Sequence, residues 1–461
     1  MDKDIEVLRQ EREQVAKDVR RGIIPKRVPV RDSLSLELLI EYSGKDLLTT
    51  QYHYNYEECV EIMEKAQEIV RGDNFGAAFA RNPVAAMLIK GKTNFMSKSG
   101  FIQHPETCVM EEDEYDELIA DPETFIGEKI IPRKAEMYSV SPMTFAISYL
   151  RNYLATLDQN TVLTSASRFI QEKYGYPMGG STGSMTGVPF DEIADQYRGF
   201  RNITIDMKRQ PQKVLDAMEA LMPKNIAIQM PAEIDEFTTS SIMTHMGVFL
   251  NTKDFEKFYW PNFAKLCHIA GERGMHMYIF CEGDWTRFLD HLYDLPAGCQ
   301  FAFEYGDPQK VKDKLGKKHI VGGFYPVTLL RNGTKQECLD KAKELIDILA
   351  PGGNFMWSYD KQALSLADID IDNYIAVQEY VLNNTNYANA GQKASGEFDF
   401  MNFQNTVEHY LKDYPEFKSK HDLPFEEFIK DYPVPAERVI PYMKEAYEKY
   451  VSLVPYPKFG M

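Results

Sequence analysis

The chain has little positive charge for its length. Its 461 residues include 52 Lys and Arg against 69 Asp and Glu, which gives a formal net charge of −17. Lys and Arg form no long run. A protein that binds nucleic acid needs a basic surface to neutralise phosphates. We therefore expect no nucleic-acid partner.

Long apolar segments are also missing. No run approaches the roughly 18 apolar residues that a membrane-spanning helix requires. The stretch 1–21 is charged throughout and lacks the apolar core of a secretory signal peptide. These two absences predict a cytoplasmic chain without a membrane partner.

Paired cysteine motifs and phosphate-binding loops are absent as well. The six cysteines are scattered without CxxC spacing, which in a cytoplasmic protein indicates reduced thiols. The glycine-rich stretch 179–184 lacks the lysine of a P-loop. We interpret this stretch as an ordered loop of an active site.

The second half of the sequence alternates β-rich runs with segments of helical periodicity. The predicted strands are 225–230, 276–281, 299–305, 319–324 and 354–359. The predicted helices between and after them are 208–222, 254–273, 285–294, 307–316, 334–349 and 370–383. Repeated strand–helix units imply right-handed crossovers and a parallel sheet. At this chain length they predict an α/β fold of the (β/α)8 barrel type.

The predicted barrel carries an addition at each end. Residues 1–135 form a helical and mixed elaboration that leads into the barrel, and 136–385 form its core. Residues 386–461 read as a turn-rich linker followed by short helices broken by prolines. This C-terminal extension is predicted to be a cap, an element of a homodimer or a docking surface.

The carboxyl ends of the predicted strands supply candidate catalytic residues, because barrel enzymes place their chemistry there. Glu282 and Glu304 follow adjacent strands. Two carboxyl groups in one partly dry cavity raise the pKa of one of them, which makes a proton donor near neutral pH. The alternative for each is a salt bridge or a helix cap. Tyr359, after the last predicted strand, is a further candidate proton donor.

Other residues at these ends are candidates for binding. The predicted substrate contacts are Met230, Tyr278, Asp284, Phe324, Tyr325 and Trp357. Strand alternation must turn some of the aromatic side chains into packing layers instead. Gly322 and Gly323 are predicted to contact a cofactor. Asp284 could equally begin a helix.

Cys281 is a candidate metal ligand, because a thiolate suits zinc. His276 and His319 stand at the opposite ends of their strands and do not complete a ligand set. The alternative is that Cys281 is a small core residue.

Several of these segments resemble the uroporphyrinogen decarboxylase superfamily. The stretch 278–285, YIFCEGDW, resembles the family strand with a His-x-Cys pair, and 319–334 resembles its glycine-rich strand followed by LLxxGT. The stretch 349–355 is similar to a later strand entry, and 25–30 to an opening with Arg-Val-Pro-Val. In order and spacing the matches span roughly 20–385.

The resemblance implies one of two activities. One is decarboxylation of uroporphyrinogen, and the other is methyl transfer to or from the cobalt of a corrinoid on a small partner protein. The arginine-rich RQAGRY segment of the decarboxylases is missing, and the scattered Arg133, Arg198, Arg201 and Arg287 make no evident basic pocket. The segment 113–122 looks like one in the longer O-demethylase methyltransferases.

The resemblance therefore favours a cytoplasmic methyltransferase that takes a methyl group from a methoxylated compound, with an aromatic one expected, and passes it to a corrinoid protein. Cobalamin is the implied cofactor. The alternatives are a decarboxylase-like enzyme and a non-catalytic barrel that binds a corrinoid protein or another ligand. An ether oxygen leaves poorly unless it receives a proton or a Lewis acid. Glu282 or Tyr359 is expected to supply the proton, and Glu304 to orient it.

One departure from the family pattern concerns zinc. Many relatives bind zinc through the His-x-Cys pair and a later cysteine, and the matching positions here are Ile279, Cys281 and Gly353. Two of the three ligands are missing, so zinc does not follow from the resemblance. A bound metal would need Cys281, Glu282 and Glu304 in another arrangement.

Overall fold

A computed structural model describes residues 3–75, 81–178, 182–231, 233–235, 238–396 and 398–453. The strands are β1 (Phe95–Met96), β2 (Ile102–Gln103), β3 (Thr182–Thr186), β4 (Thr239–Thr244), β5 (His276–Asp284), β6 (Gln300–Tyr305) and β7 (Ile320–Gly323). The helices before β3 are α1 (Lys3–Arg20), α2 (Leu36–Tyr42), α3 (Leu47–Tyr52), α4 (Tyr56–Ala66), α5 (Pro83–Ile89), α6 (Tyr115–Ala120), α7 (Pro122–Phe125), α8 (Ile131–Lys134) and α9 (Pro142–Tyr174).

The remaining helices alternate with the strands or follow them. They are α10 (Pro189–Asp191), α11 (Phe200–Arg209), α12 (Pro211–Ile228), α13 (Thr252–Asp254), α14 (Trp260–Glu272), α15 (Leu289–Asp294), α16 (Pro308–Leu315), α17 (Val327–Asn332), α18 (Lys335–Leu349), α19 (Ile371–Asn384), α20 (Phe425–Phe428) and α21 (Ile440–Leu453). Within the described residues, no helix is long and apolar enough to cross a membrane.

The predicted α/β fold with a parallel sheet is confirmed. The main sheet has the parallel order β3-β4-β5-β6-β7. Past β7 it is extended by single parallel bridges from Val321 to Phe355 and from Tyr325 to Tyr359. A further parallel bridge joins Trp357 to Val30. The N-terminal stretch around Val30 therefore lies beside the last predicted strand.

The sheet curls strongly. The stretch around Val30 lies four places from β5 in the strand order, which is roughly 19 Å along a flat sheet. Yet the Arg31 guanidinium lies 5.0 Å from the centre of the Tyr278 ring, in the middle of β5. Such a contact requires the sheet to bend until the two strands face each other across its concave side, as strands of a barrel do.

Side chains of β5 alternate between two environments, as strand geometry requires. Met277, Ile279 and Cys281 are fully buried on the face that is covered by helices such as α14. Tyr278 and Glu282 are only half-buried and lie on the concave face. The helix-covered face is the hydrophobic core, and the concave face is where a small molecule can enter.

The predicted strand 225–230 is wrong. These residues continue α12, whose last turns are buried at Asn225, Ile226 and Ile228. A short apolar run with β-branched residues fits a buried helix as well as a strand. The strand of this unit is β4, and its alternating burial matches a strand that has one face in the core. Met230 thus follows a helix and does not stand at a strand end.

The predictions for the later elements are largely confirmed. The strands 276–281, 299–305 and 319–324 correspond to β5, β6 and β7, while 354–359 is an extended stretch with single bridges. The elements that the sequence analysis did not predict include β3, β4 and the 33-residue helix α9. In the stretch 179–184, residues 179–181 lie outside the described residues, and β3 begins at Thr182.

A buried ion pair ties the N-terminal stretch to the rest of the fold. Arg27 donates two hydrogen bonds to Asp73, at 2.8 and 2.6 Å. Asp73 also accepts a hydrogen bond of 2.7 Å from the backbone N–H of Val30. Both charged side chains are less than 10% exposed. Because the pair is also hydrogen-bonded to the backbone, it fixes the stretch that leads to Arg31.

Replacing Asp73 with Ala should lower the free energy of unfolding by about 3–5 kcal/mol, because Arg27 is then buried without its counter-charge. Urea titration measures the loss. Glu136→Ala is the matched control, since Glu136 pairs with Lys90 where both side chains are 59% exposed. Glu136→Ala should leave the free energy of unfolding nearly unchanged, because an exposed ion pair is screened by water. Equal costs for the two variants would contradict the structural role of the buried pair.

Candidate active site

Charged side chains meet where β4, β5 and β6 end. His245 comes directly after β4, Glu282 lies near the end of β5, and Asp195 comes from the π-helical segment Glu192–Arg198. The His245 Nδ1 atom lies 3.4 Å from a carboxylate oxygen of Glu282 and 3.9 Å from one of Asp195. One imidazole is thus shared by two carboxyl groups. We call these residues, together with Glu304, the carboxylate site.

Glu282 has the environment of a proton donor. Its side chain is 46% exposed, so it is open to a ligand. Partial burial raises the pKa of Glu282, and the negative charges of Glu304 and Asp195 raise it further, against the opposing effect of His245. A carboxyl group with a raised pKa keeps its proton at a higher pH than an ordinary glutamate does.

Glu304 is directed at the backbone next to Glu282. It accepts a hydrogen bond of 2.9 Å from the N–H of Gly283, and its other oxygen lies 3.7 Å from the Lys361 ammonium. Gly283 has a φ of 75°, which favours glycine. Glu304 therefore stabilises the turn that carries Glu282, and its charge acts on Glu282 from there. The predicted pairing of the two glutamates in one site is consistent with this placement.

His245 was missed by the sequence analysis because β4 was misplaced. Its position depends on Asp191, which is 5% exposed. The Asp191 carboxylate accepts hydrogen bonds from the backbone N–H groups of Met246, at 2.9 Å, and His245, at 3.3 Å, and from the Tyr259 hydroxyl, at 2.7 Å. The signal in the sequence was weak, because the run TSSIMT that precedes His245 buries Ser240, Ile242 and Thr244, of which only Ile242 is apolar.

Three predicted aromatic residues lie on the helix-facing side, away from the carboxylate site. Tyr325, Trp357 and Tyr359 are nearly fully buried and pack on one another, with ring centres 5.2–6.0 Å apart. The Tyr325 hydroxyl donates to the backbone oxygen of Cys338 in α18, and Tyr359 stacks on Tyr374 in α19. These contacts give all three a packing role, and Tyr359 is not brought to Glu282.

The glycines and Phe324 are explained by close packing around β7. A Cβ atom on Gly322 would lie 2.4 Å from the Met356 oxygen, and one on Gly323 would lie 2.2 Å from the Phe303 oxygen. Phe324 has a φ of 68° and stacks on Phe303 with ring centres 5.2 Å apart. These contacts account for both glycines without a cofactor.

Asp284 and Tyr278 occupy the two ends of the concave face of β5. The Asp284 side chain accepts a hydrogen bond of 2.8 Å from the N–H of Thr286, as a residue that begins a helical turn does. Tyr278 lies deeper, under the Arg31 guanidinium. Of the predicted substrate contacts, Tyr278 is the one that the structure places on the concave face below Glu282.

Cys281 does not fit a zinc site. Its thiol is fully buried on the helix-covered face of β5, opposite to Glu282, and burial raises the pKa of the thiol well above its ordinary value. Zinc binds the thiolate, which this environment disfavours. Across the part of the chain that the structure describes, no three His, Cys, Asp or Glu side chains are grouped to hold a metal. The set Cys281, Glu282 and Glu304 is therefore not brought together.

Comparisons with known proteins agree with this geometry. The family model for uroporphyrinogen decarboxylase (URO-D) matches residues 148–363, which contain all of the carboxylate site. A solved structure, a methyltransferase from Methanosarcina mazei, superposes with a TM-score of 0.52 at 14% identity, over 80% of this chain and 97% of that one. This likeness shows a shared fold. A search of curated protein sequences finds no match. The resemblance inferred from the sequence motifs is confirmed.

The buried Asp191 predicts a pH dependence of stability. Burial raises the pKa of Asp191 from its ordinary 3.8 to about 6, against the opposing hydrogen bonds from Tyr259 and Met246. The folded state then binds the proton more tightly than the unfolded chain. This tighter binding of the proton contributes fully to the stability of the fold below pH 3.8, and the contribution is lost as the pH rises to about 6.

The Asp191→Asn variant cannot titrate at this position. The difference in unfolding free energy between wild type and variant should therefore shift by about 3 kcal/mol against the wild type between pH 4 and pH 7. Urea titrations at several pH values measure it. A difference that stays constant over this range would show that the pKa of Asp191 is not raised.

Proposed function

We propose that the chain is a methyltransferase of the corrinoid-dependent branch of the uroporphyrinogen decarboxylase superfamily, whose family model matches residues 148–363. Its substrate would be a methoxylated, aromatic compound, and the methyl group would pass to a corrinoid on a small partner protein. The observation that carries the proposal is Glu282, a carboxyl group of raised pKa beside His245, at the open end of the sheet. Such a proton donor can assist the cleavage of an ether, because it neutralises the leaving oxygen.

The chain's own residues would act on the leaving oxygen. When the bond between the methyl carbon and the ether oxygen breaks, the oxygen keeps the electron pair. Glu282 donates its proton to that oxygen, so that a neutral phenol or alcohol leaves in place of a poor anionic leaving group. The corrinoid, when bound, supplies reduced cobalt as the acceptor of the methyl group.

His245 and Glu304 would prepare Glu282 for each turnover. The carboxylate that Glu282 becomes is 3.4 Å from the His245 imidazole, which can return a proton to it. Glu304 accepts a hydrogen bond from the N–H of Gly283 and so fixes the backbone that carries Glu282. Asp191 acts more remotely, since its hydrogen bonds set the backbone position of His245. It is a positioning residue.

The decarboxylase alternative finds less support, because uroporphyrinogen carries many carboxylates and would need several positive charges around it. Arg133 pairs with Glu114, and Arg198 pairs with the buried Asp206. Arg287 donates to backbone oxygens of Val248 and Leu250. These arginines have structural partners. The open end of the sheet, where the carboxylate site lies, carries mainly carboxyl groups.

Replacing Glu282 with Gln should slow methyl transfer about 10²–10⁴-fold, because the proton donor is lost while the side-chain shape is kept. The assay measures the anaerobic methylation of reduced cobalamin through the change in its absorption spectrum. Methoxybenzenes, methanol and methylamines serve as donors, with and without zinc. The native corrinoid protein is tested alongside free cobalamin.

The matched control is Glu256→Gln. Glu256 also lies near a histidine, with 3.5 Å between its carboxylate and His291 Nε2, but it is outside the carboxylate site. It should keep wild-type turnover within about twofold. Unchanged turnover in Glu282→Gln would remove Glu282 from the mechanism. No methylation from any donor would favour the decarboxylase or the non-catalytic alternative.

The rate should also depend on pH through Glu282. Since the protonated acid is the active form, the rate falls as the pH rises through the raised pKa of Glu282. His245 opposes this raised pKa, so in His245→Gln the falling limb should move to higher pH. The pH profiles of the two proteins measure the shift. A shift to lower pH would contradict the assigned effect of His245.

A further inference from the structure

Arg31 lies on the concave side of the sheet, opposite β5. Its backbone N–H donates to the Trp357 oxygen at 3.0 Å, next to the bridge between Val30 and Trp357. Val30 is buried on the helix-covered face, so alternation turns Arg31 to the other face. There its guanidinium reaches the Tyr278 ring. The side chain thus crosses the interior that a ligand would occupy.

The charge of Arg31 is available to a ligand. Within the described parts of the chain, its side-chain contact is the face of Tyr278, and no carboxylate pairs with it. The neighbouring Arg27 is buried against Asp73, and Arg198 against Asp206. Arg31 is instead exposed to solvent.

A second arginine adds to the positive potential at this level. Arg20, at the end of α1, lines a small cavity with Thr239, His276 and Gln300. This cavity lies at the amino ends of the strands, whereas the carboxylate site lies at their carboxyl ends. Burial lowers the pKa of Arg20, and the charge of Arg31 lowers it further, while Asp235 opposes both. The two guanidinium groups are therefore close enough to repel each other electrostatically.

We propose that Arg31 binds the anionic group of the substrate and that Tyr278 packs against the substrate's ring. The substrate is then a methoxylated aromatic carboxylate. A guanidinium binds a carboxylate through charge-assisted hydrogen bonds. This assignment rests on the proposed function for the reacting end of the molecule, which is at Glu282.

The spacing along β5 suits such a molecule. Tyr278 and Glu282 are four residues apart on the same face, which is about 13 Å along the strand. Both Arg31 and Glu282 extend side chains into this interval. A single aromatic ring with a carboxylate at one end and a methoxy group at the other spans what is left. The anionic end points down to Arg31, and the methoxy oxygen points up to Glu282.

Binding to the full chain tests the assignment without a corrinoid. The ligands are 4-methoxybenzoate, its neutral analogue 4-methoxybenzyl alcohol, benzoate and inorganic phosphate, measured by calorimetry. Wild type should bind 4-methoxybenzoate about tenfold or more tightly than the alcohol, and benzoate more tightly than phosphate. Arg31→Gln should lose the preference for the benzoate, and Arg31→Lys should keep part of it. Arg331→Gln, at an exposed arginine of α17, should behave as wild type.

The outcomes separate this inference from the proposed function. Equal affinity of wild type for the acid and the alcohol overturns the role of Arg31, as does an unchanged preference in Arg31→Gln. Tighter binding of phosphate than of benzoate overturns the carboxylate as ligand class. Benzoate binding that depends on Arg31, without methyl transfer in the corrinoid assay, supports the anion site and overturns the methyltransferase proposal alone.

An independent observation concerns α9. One side of this helix packs on α4 and α5, while the other exposes Met143, Ile147, Leu150, Leu154 and Leu157. Their exposed fractions range from 41% to 70%. The spacing of four, three, four and three residues is the repeat by which two helices pair in a coiled coil. We call these five residues the α9 stripe.

We propose that the α9 stripe pairs with the same stripe of a second copy of this chain. Arg151 and Asp158 are exposed, seven residues apart and on the same flank of the stripe. In an antiparallel pair centred between Leu154 and Leu157, Arg151 of each copy comes opposite Asp158 of the other. This charge pattern is complementary to itself, as the two-fold axis of a homodimer requires.

The C-terminal end of the chain extends the same surface. The Tyr153 hydroxyl of α9 donates to the backbone oxygen of Leu453, at the end of α21. Tyr442, Tyr450 and Leu453 of α21 are themselves 44–70% exposed. A second copy that covers the α9 stripe would therefore also reach apolar side chains of α21, which enlarges the buried area beyond the stripe.

Light scattering after size exclusion tests this pairing with the full chain. Wild type should be a dimer at about 10 µM, and Leu154→Glu should be a monomer with unchanged circular dichroism. Met401→Glu, at an apolar residue that is 47% exposed elsewhere, should stay dimeric. Arg151→Glu should weaken the dimer at low salt, and adding Asp158→Arg should restore it. A monomeric wild type, or a dimer that survives Leu154→Glu, overturns the proposal.

Discussion

The period-two alternation of side chains along β5 is the constraint on which the site depends. Helices cover one face of the strand, and the concave face is open. Cys281 and Glu282 are neighbours in the chain, yet the first is buried in the core and the second is half-exposed. The same alternation sets Tyr278 below Glu282 on one face. A one-residue slip in register would exchange these roles, because it moves every side chain to the other face.

Desolvation gives the carboxylate site its chemistry. Partial burial raises the pKa of Glu282 and of Asp195, and the neighbouring acids Glu304 and Glu106 act in the same direction. Full burial does the same to Asp191. His245 moderates all three of these acids, and it is held by the backbone hydrogen bonds to Asp191. The site thus combines a carboxyl group of raised pKa, a neighbouring imidazole and a buried supporting carboxyl group.

The interior of the concave face carries positive charge, whereas its open end at the carboxylate site carries negative charge. Acids surround the open end, whereas Arg31 and Arg20 lie deeper. A substrate with one anionic end is repelled when that end faces the carboxylate site. It is attracted when that end faces the arginines. Under the proposals above, such a gradient orients the substrate before any reaction, with Arg31 selecting the anionic end and Glu282 donating the proton.

The sequence by itself determined the class of fold and part of the site. The β-rich runs at β5, β6 and β7 and the helical periodicity between them specify parallel strand–helix units, because local burial patterns repeat with the period of each element. Position at a strand end was enough to select Glu282 and Glu304. The family motifs agreed with both.

Only the tertiary structure decided which face each residue occupies and which distant residues meet. The run at 225–230 covers the last turn of α12 and is mostly buried, so its apolar residues show no periodicity that separates a buried helix from a strand. Tyr325, Trp357 and Tyr359 turned to the helix layer because the bridges to Val30 and β7 fix their register. Arg31 meets Tyr278, 247 positions later in the chain, because the sheet curls. Such contacts depend on the curvature of the sheet, which no local pattern in the sequence encodes.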